Sequence, residues 1–323
     1  VRRDRQRGAA LLTVLLLTAT LAVLAVSMTE VATRSLSRTG AIEARLQGFW
    51  ALRGLETAAL STLRQNAELL DDPAGRFFRE PVVLPFEGAT ATLRFRDASN
   101  CFNLNDLVDS GEEGLVSDEG AIERFARLFR ELGGNESAGS QAAARIADFI
   151  DSDTSPGPGS VEDFDYRRRE VPYRTAGTYL ASVSEIRAVA GFSPDVYRFV
   201  APYLCTLPSD GAQVLNVNTL MPEDAPLLAG LSGGALTPEA AKRLIQTRPE
   251  DGYAEVGTFL ANPLLAGADL PAEFPSMVAV GPTLLEMEIT LESGLGRLRS
   301  EALVQRQRSI LTVLERGVGE RLP

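Results

Sequence analysis

From Ala9 to Met28 the chain runs AALLTVLLLTATLAVLAVSM, a stretch without a single charged side chain. At about 1.5 Å per helical residue it is ~30 Å long, the thickness of a bilayer's hydrocarbon core. Polar residues then enter without ending the helical period. Ile42, Leu46, Phe49, Leu52, Leu55, Ala59 and Leu63 recur at steps of three and four, with Arg45, Arg53, Glu56 and Arg64 between them. The spacing predicts one helix, apolar first and amphipathic afterwards, that runs to about Asn66 before Asp71, Asp72 and Pro73 stop it.

Beyond Pro81 the pattern changes. VVLPFEGATATLRFRDASNCFNLNDL predicts two or three strands with turns at Glu87-Gly88 and Ser99-Asn100, and Leu93 to Asp97 alternates as a half-buried strand does. Helical patterns then cover 119–133, 137–151, 182–190, 193–204, 222–231, 237–248 and 254–261. Strands return at 284–293 and 308–316, with a third between them around 296–305. A sheet interrupted by so long a helical stretch predicts an α+β chain with a large α-helical domain inserted into it.

Composition narrows the function. The chain has 323 residues, 45% of them hydrophobic and 23% charged, which is globular and leaves room for two cores. The net charge is −11, yet the first eight residues carry four arginines against one aspartate. Arginines before an apolar run favour a cytoplasmic N-terminus and an exported body. The alternative is a cleaved secretory signal, but the run is longer than an h-region and no A-x-A site precedes Glu30 and Arg34. Histidine is absent, which excludes histidine triads, zinc–histidine sites and histidine acid–base chemistry. No G-x-S-x-G elbow occurs either, and Asn103, Asn105, Asn216 and Asn218 suit turns better than an oxyanion hole. No catalytic activity is expected.

A basic leader ending in Gly8, followed at once by an apolar helix, resembles the class III signal of type IV pilins and pseudopilins. The resemblance implies that a prepilin peptidase cuts between Gly8 and Ala9 and that the helix is kept. In that family the fifth residue after the cut is usually a glutamate that pairs with the amine of the subunit ahead; here it is Thr13. A subunit without the glutamate suits a tip. Four further segments, RDASNCFNLNDL (96–107), IADFIDSDTSPGPGSVEDFDY (146–166), SEIRAVAG (184–191) and YLCTLPSDGAQVLNVNTL (203–220), resemble the K-type minor pseudopilins of type II secretion systems.

That resemblance covers nearly the whole chain. It implies a leader at 1–8, a transmembrane helix at 9–28, its periplasmic continuation at 29–66, a pilin-like antiparallel core at 67–107 and 281–323, and an inserted helical domain at 108–280. It also implies a non-catalytic subunit, anchored in the inner membrane with its bulk in the periplasm. Such a subunit caps the pseudopilus with the I- and J-type minor pseudopilins and supports export. The amphipathic half of the helix then has two faces, one for its own sheet and one for partner helices. Ile42, Leu46 and Phe49 are the candidate partner-binding residues, toward the I and J types and other pseudopilus subunits.

The densest polar cluster is DSDTSPGPGSVED, residues 151–163. Asp151, Asp153, Ser155 and Glu162 stand at positions one, three, five and twelve of an EF-hand-like window, but position six is Pro156 where an EF-hand needs glycine. The residues alone leave a solvated, helix-capping turn and a cation loop both open. The resemblance implies calcium in the helical domain, with Asp151, Asp153, Glu162 and Asp163 as candidate ligands. Cys101 and Cys205 lack C-x-x-C spacing, so a thiolate metal site is not expected. In an oxidising compartment they form a disulfide; in the cytosol they would stay as two thiols. The implied periplasmic topology favours the bond. Residues 214–260 also resemble a helix-hairpin-helix module, the basis of an alternative reading as a periplasmic, membrane-anchored DNA-binding or uptake protein. Between Asn216 and Leu260, however, three basic residues face six acidic ones, so no nucleic acid is expected.

Overall fold

The computed structural model describes residues 2–70, 72, 76–86, 88–112, 114–208, 214–293, 296–307 and 310–318. Its first element, α1 (Arg2–Gln65), is a single helix of 64 residues, ~96 Å from end to end. Among the described residues it is the one helix long and apolar enough to cross a membrane. Four hydroxyls along its apolar half and just beyond it are satisfied inside the helix. Thr18 donates to the carbonyl of Leu15, Thr20 to that of Leu17, Ser27 to that of Leu24 and Thr29 to that of Ala25. Threonine and serine are thus tolerated where no water is at hand. The helix ends when both the backbone amide and the side-chain amide of Asn66 turn back onto the carbonyl of Thr62. Asp71 and Pro73, expected to stop it, lie outside the described residues, as does Glu87 of the first expected turn.

Strands β1 (Val82–Phe86) and β2 (Ala89–Asp97) follow. The middle of the chain builds β3 (Phe102–Asn103), β4 (Val108–Gly111), β5 (Gly114–Ser117), α2 (Glu119–Glu131), α3 (Glu136–Ile150), α4 (Asp163–Tyr166), α5 (Pro194–Val200), β6 (Leu204–Cys205) and β7 (Leu215–Asn216). After these come α6 (Ala225–Leu231), α7 (Pro238–Gln246), α8 (Val256–Leu260) and β8 (Val278–Ala279). The chain closes with β9 (Leu284–Ser293), β10 (Gly296–Gln307) and β11 (Ile310–Val318). The fold is mixed α+β.

Five strands form one antiparallel sheet in the order β1-β2-β9-β10-β11. The alternation seen in the sequence selects its inner face: Leu93 pairs with Ile289, Phe95 with Met287, and Met287 in turn with Ala302. These residues pack under Leu52, Leu55, Leu60 and Leu63 of α1. Two polar ties fix the helix on the sheet. The buried Glu56 accepts from Arg53 and from Arg316 of β11, at 3.0 and 2.8 Å, and Arg64 donates to the carbonyl of Leu311.

A second hydrophobic core gathers residues from Phe102 to Val278. Helix α2 is its centre and packs on α3 and α6. At the α2–α3 contact Gly139 faces Phe129 and Ala126, and at the α2–α6 contact Gly230 lies against the backbone of Leu128. The middle also holds short strands that alternation alone did not reveal, because β3, β6, β7 and β8 have two residues each. The helix expected over 193–204 ends at Val200, after which a 3-10 turn with Pro202 leads into β6.

Two asparagine pairs repeat one device. Asn103 accepts from the amide of Asn105, and Asn216 accepts from the amide of Asn218, so each closes a tight turn. Asn105 then clamps two distant segments, exchanging bonds with the backbone of Leu180 and donating to Leu207. Asn218 does the same with Tyr253 and Val280. Both are buried, and each uses its amide in both directions. The seam between the cores is polar as well. Asp97, at the end of β2, accepts from Asn216 and Thr219, while Asn100 accepts from the amide of Asn216. Cys101 and Cys205 are joined across the β3–β6 pair by a disulfide with Cα atoms 5.8 Å apart.

Candidate functional site

Three carboxylates converge at the C-terminal end of α3. Asp148, on its last turn, Asp151, at its C-cap, and Glu162, at the N-cap of α4, are each 4% exposed and bring an oxygen apiece within 4.8 Å of one another. The intervening loop folds back so that Gly157 donates its amide to Asp148 at 2.8 Å. Ser117 of β5 donates to one oxygen of Asp151, and the amide of Asp163 to one oxygen of Glu162. The other oxygen of each, Oδ1 of Asp151 and Oε1 of Glu162, is buried without a hydrogen-bond donor. Burial pushes the Asp151 carboxyl up to about 6 and the Glu162 carboxyl up to about 7, and repulsion among the neighbouring carboxylates adds to both; burial raises Asp148 as well. A buried, oxygen-only, mutually repelling donor set can be relieved by protons or by a hard cation.

The four residues singled out from the sequence are not placed alike. Asp151 and Glu162 enter the cluster. Asp153 is exposed, and its carboxylate accepts from the amide of Ser155. The Asp163 carboxylate points elsewhere, toward the amide and hydroxyl of Thr175 and the guanidinium of Arg167, which hold it below the usual carboxylate range. Asp148 was missed because it lies inside a helical segment rather than in the acidic loop. Its three-residue spacing to Asp151 was the available signal, since that spacing puts both on one helix face.

The helix face is equally uneven. Ile42 and Leu46 are exposed, whereas Phe49 is half-buried and lines a crevice with Leu52, Gly317 and Val318. Trp50, not singled out from the sequence, is 69% exposed. Gly8 and Ala9 fall within the helical run of α1. The hairpin between α6 and α7 turns through Gly233 and Gly234, both at positive φ. Arg248, one of the few basic residues beyond it, points inward and donates to the carbonyls of Val217 and Leu220. The arginine holds the Asn216–Asn218 turn and is not free to face a phosphate, whereas Lys242 and Arg243 of α7 are exposed.

Two family models, both described as type II secretion system (T2SS), protein K, match residues 100–209 and 215–281. A type II secretion system protein K from Klebsiella pneumoniae is 33% identical over 320 residues, covering 98% of this chain and 97% of that one. The chain belongs to the type II secretion system protein K family. Another member, from Pectobacterium carotovorum subsp. carotovorum, is 36% identical over 260 residues, 79% of each chain. Among solved structures, a chain of the GspK-GspI-GspJ complex from the enterotoxigenic Escherichia coli type 2 secretion system superposes with a TM-score of 0.68 at 26% identity. The match covers 86% of this chain and 100% of that chain. Membership makes the chain a minor pseudopilin, a structural subunit of a secretion system, and α1 is long and apolar enough to serve as a membrane anchor. The carboxylate cluster lies in the first matched part and the Asn218 clamp in the second.

Proposed function

We propose that this protein K caps the periplasmic pseudopilus of a type II secretion system by binding the I- and J-type minor pseudopilins. The observation that carries the reading is the likeness of the body to a chain solved within a GspK-GspI-GspJ complex. The physical complement is α1, whose body-proximal part is covered on one side only, by its own sheet. In this reading the N-terminus is cytoplasmic and α1 rests in the inner membrane until assembly extracts it. A prepilin peptidase cuts between Gly8 and Ala9. The helical middle, too bulky for a repeated shaft subunit, sits at the apex.

The cation at the carboxylate cluster is calcium, held by Asp148, Asp151 and Glu162. Three carboxylate oxygens within 4.8 Å of one another fit inside a calcium shell ~4.6–5.2 Å across, and the two orphaned oxygens are where a hard cation bonds. Bound there, the ion neutralises the cluster and ties the end of α3 to the start of α4. Its role is structural.

Co-purification from membranes co-expressing the I and J types tests the assembly. Recovery of all three together is expected, and a protein K that stays alone beside both overturns the reading. Gly8→Ala tests processing: an unshifted band beside an active prepilin peptidase is expected, and normal cleavage overturns the class III assignment.

A further inference from the structure

We infer that the arginine-rich arm between α4 and Thr175 is a docking site for a short acidic segment of another protein. The inference depends neither on the capping assembly nor on the cation. Its first support is charge. Residues 167–174 read RRREVPYR, four arginines against one glutamate in a chain whose net charge is −11. All four arginines are exposed. Arg167 is bonded to Asp163, but neither Arg168 nor Arg174 has a carboxylate partner among the described residues. In a protein so rich in acidic side chains, two exposed guanidiniums stay open to a carboxylate from outside.

The second support is order. Both ends of the arm are tied down: Arg167 donates its amide to the carbonyl of Asp163, Thr175 donates its amide and hydroxyl to the Asp163 carboxylate, and Ala176 donates to the carbonyl of Phe149. Aromatic rings hold the arginines between. The guanidinium of Arg169 lies 4.8 Å from the ring centre of the buried Tyr166 and 5.5 Å from that of Tyr173, whose hydroxyl it bonds. That hydroxyl in turn donates to the carbonyl of Ala188. Arg168 stacks 5.1 Å over Phe164. A stacked guanidinium keeps its in-plane N–H fork for a carboxylate, and part of the ordering cost is met before a partner arrives.

The surroundings select the occupant. Phe164 and Val171 are 66% and 74% exposed and stand among the arginines. Arginine beside exposed aromatic and aliphatic groups is the composition of a protein interface, and the fork binds a carboxylate through two parallel bonds. Asp165 and Glu170, exposed beside the same arginines, limit its length. A membrane surface or a long nucleic acid would press phosphates against these carboxylates and against the acidic body. A short acidic segment with apolar residues meets the arm alone.

Fluorescence anisotropy tests this with the full protein in detergent and a short labelled peptide of glutamates interspersed with leucines, at constant calcium. Saturable binding is expected at ~50 mM salt and its loss at ~500 mM, because the charges are exposed. Arg168→Gln/Arg174→Gln should weaken binding at least about tenfold, and Phe164→Ala severalfold, with melting temperatures unchanged. An oligoglutamate without leucines should bind more weakly. No binding by the wild type, equal binding by the double variant, or equal binding of the oligoglutamate overturns the inference. Tighter binding of phosphatidylglycerol vesicles or of an oligonucleotide overturns it too, by making the arm a phosphate site.

Discussion

Chelating divalent cations at pH 8 leaves Asp148, Asp151 and Glu162 ionised, buried and within 4.8 Å of one another. The cost follows from the two carboxyls that burial shifts furthest. Asp151 moves from 3.8 to about 6 and Glu162 from 4.5 to about 7. Two pH units amount to about 3 kcal/mol. The two sites repel each other and titrate as a unit, so about 3 kcal/mol serves for the cluster rather than twice that. Both values are raised on folding, so between pH 4 and 7 the folded protein holds protons that the unfolded chain has released. Without a cation, the cluster's contribution to stability is therefore greatest below about pH 4 and is lost as pH rises through 6 and 7.

For a chain of this size that loss corresponds to about 4–6 °C in melting temperature. Differential scanning fluorimetry of the full protein in detergent, from pH 5 to 8, with EDTA and with calcium, reads it directly. The EDTA curve should fall below the calcium curve by that amount as pH rises. The Asp151→Asn/Glu162→Gln double variant should bring the two curves together. Parallel EDTA and calcium curves for the wild type would refute both the cluster's electrostatics and its cation.

Other expectations test the frame around the site. Replacing Cys101 and Cys205 by serine opens a 104-residue separation and should cost up to about 4–5 kcal/mol in urea unfolding, with reducing agent reproducing the loss in the wild type. Asn218→Ala strands the backbone of Tyr253 and Val280 and should cost about 2–4 kcal/mol, with Asn105→Ala matching it at Leu180 and Leu207; a loss below 1 kcal/mol at both positions would refute the clamp. Gly230→Ala puts a Cβ 3.2 Å from the Leu128 backbone and should destabilise by about 1–2 kcal/mol, whereas Gly54→Ala meets nothing and should stabilise α1 by up to about 1 kcal/mol. Glu56→Ala should cost about 1–2 kcal/mol, a modest figure because Arg53 and Arg316 both reach solvent; no change on thermal melting would show that the pair does not hold the helix.

Periodicity and short-range chemistry were decided by the sequence itself. The uncharged run before Glu30, the three- and four-residue steps beyond it and the alternation in β2 and β9 each depend on neighbours within a few residues, and all appear as expected. Helices α2, α3, α5 and α7 begin within one residue of their anticipated starts, and the asparagine pairs close turns because an amide two residues on is a local partner. The cysteines could be paired in advance only because the implied topology puts them, the chain's only two, in an oxidising compartment. The tertiary structure alone decided what meets across distance. Asp148 joins Asp151 and Glu162 because the loop between α3 and α4 doubles back through Gly157, while Asp163, next in sequence to Glu162, turns away to Thr175 and Arg167. The outward face of α1 was likewise ambiguous. An amphipathic repeat says that one side is buried, but Phe49 and Trp50 are adjacent aromatic residues at 100° to each other. Which of them is covered depends on where β10 and β11 lie, because burial is a property of the partner surface that arrives and not of the residue that waits for it.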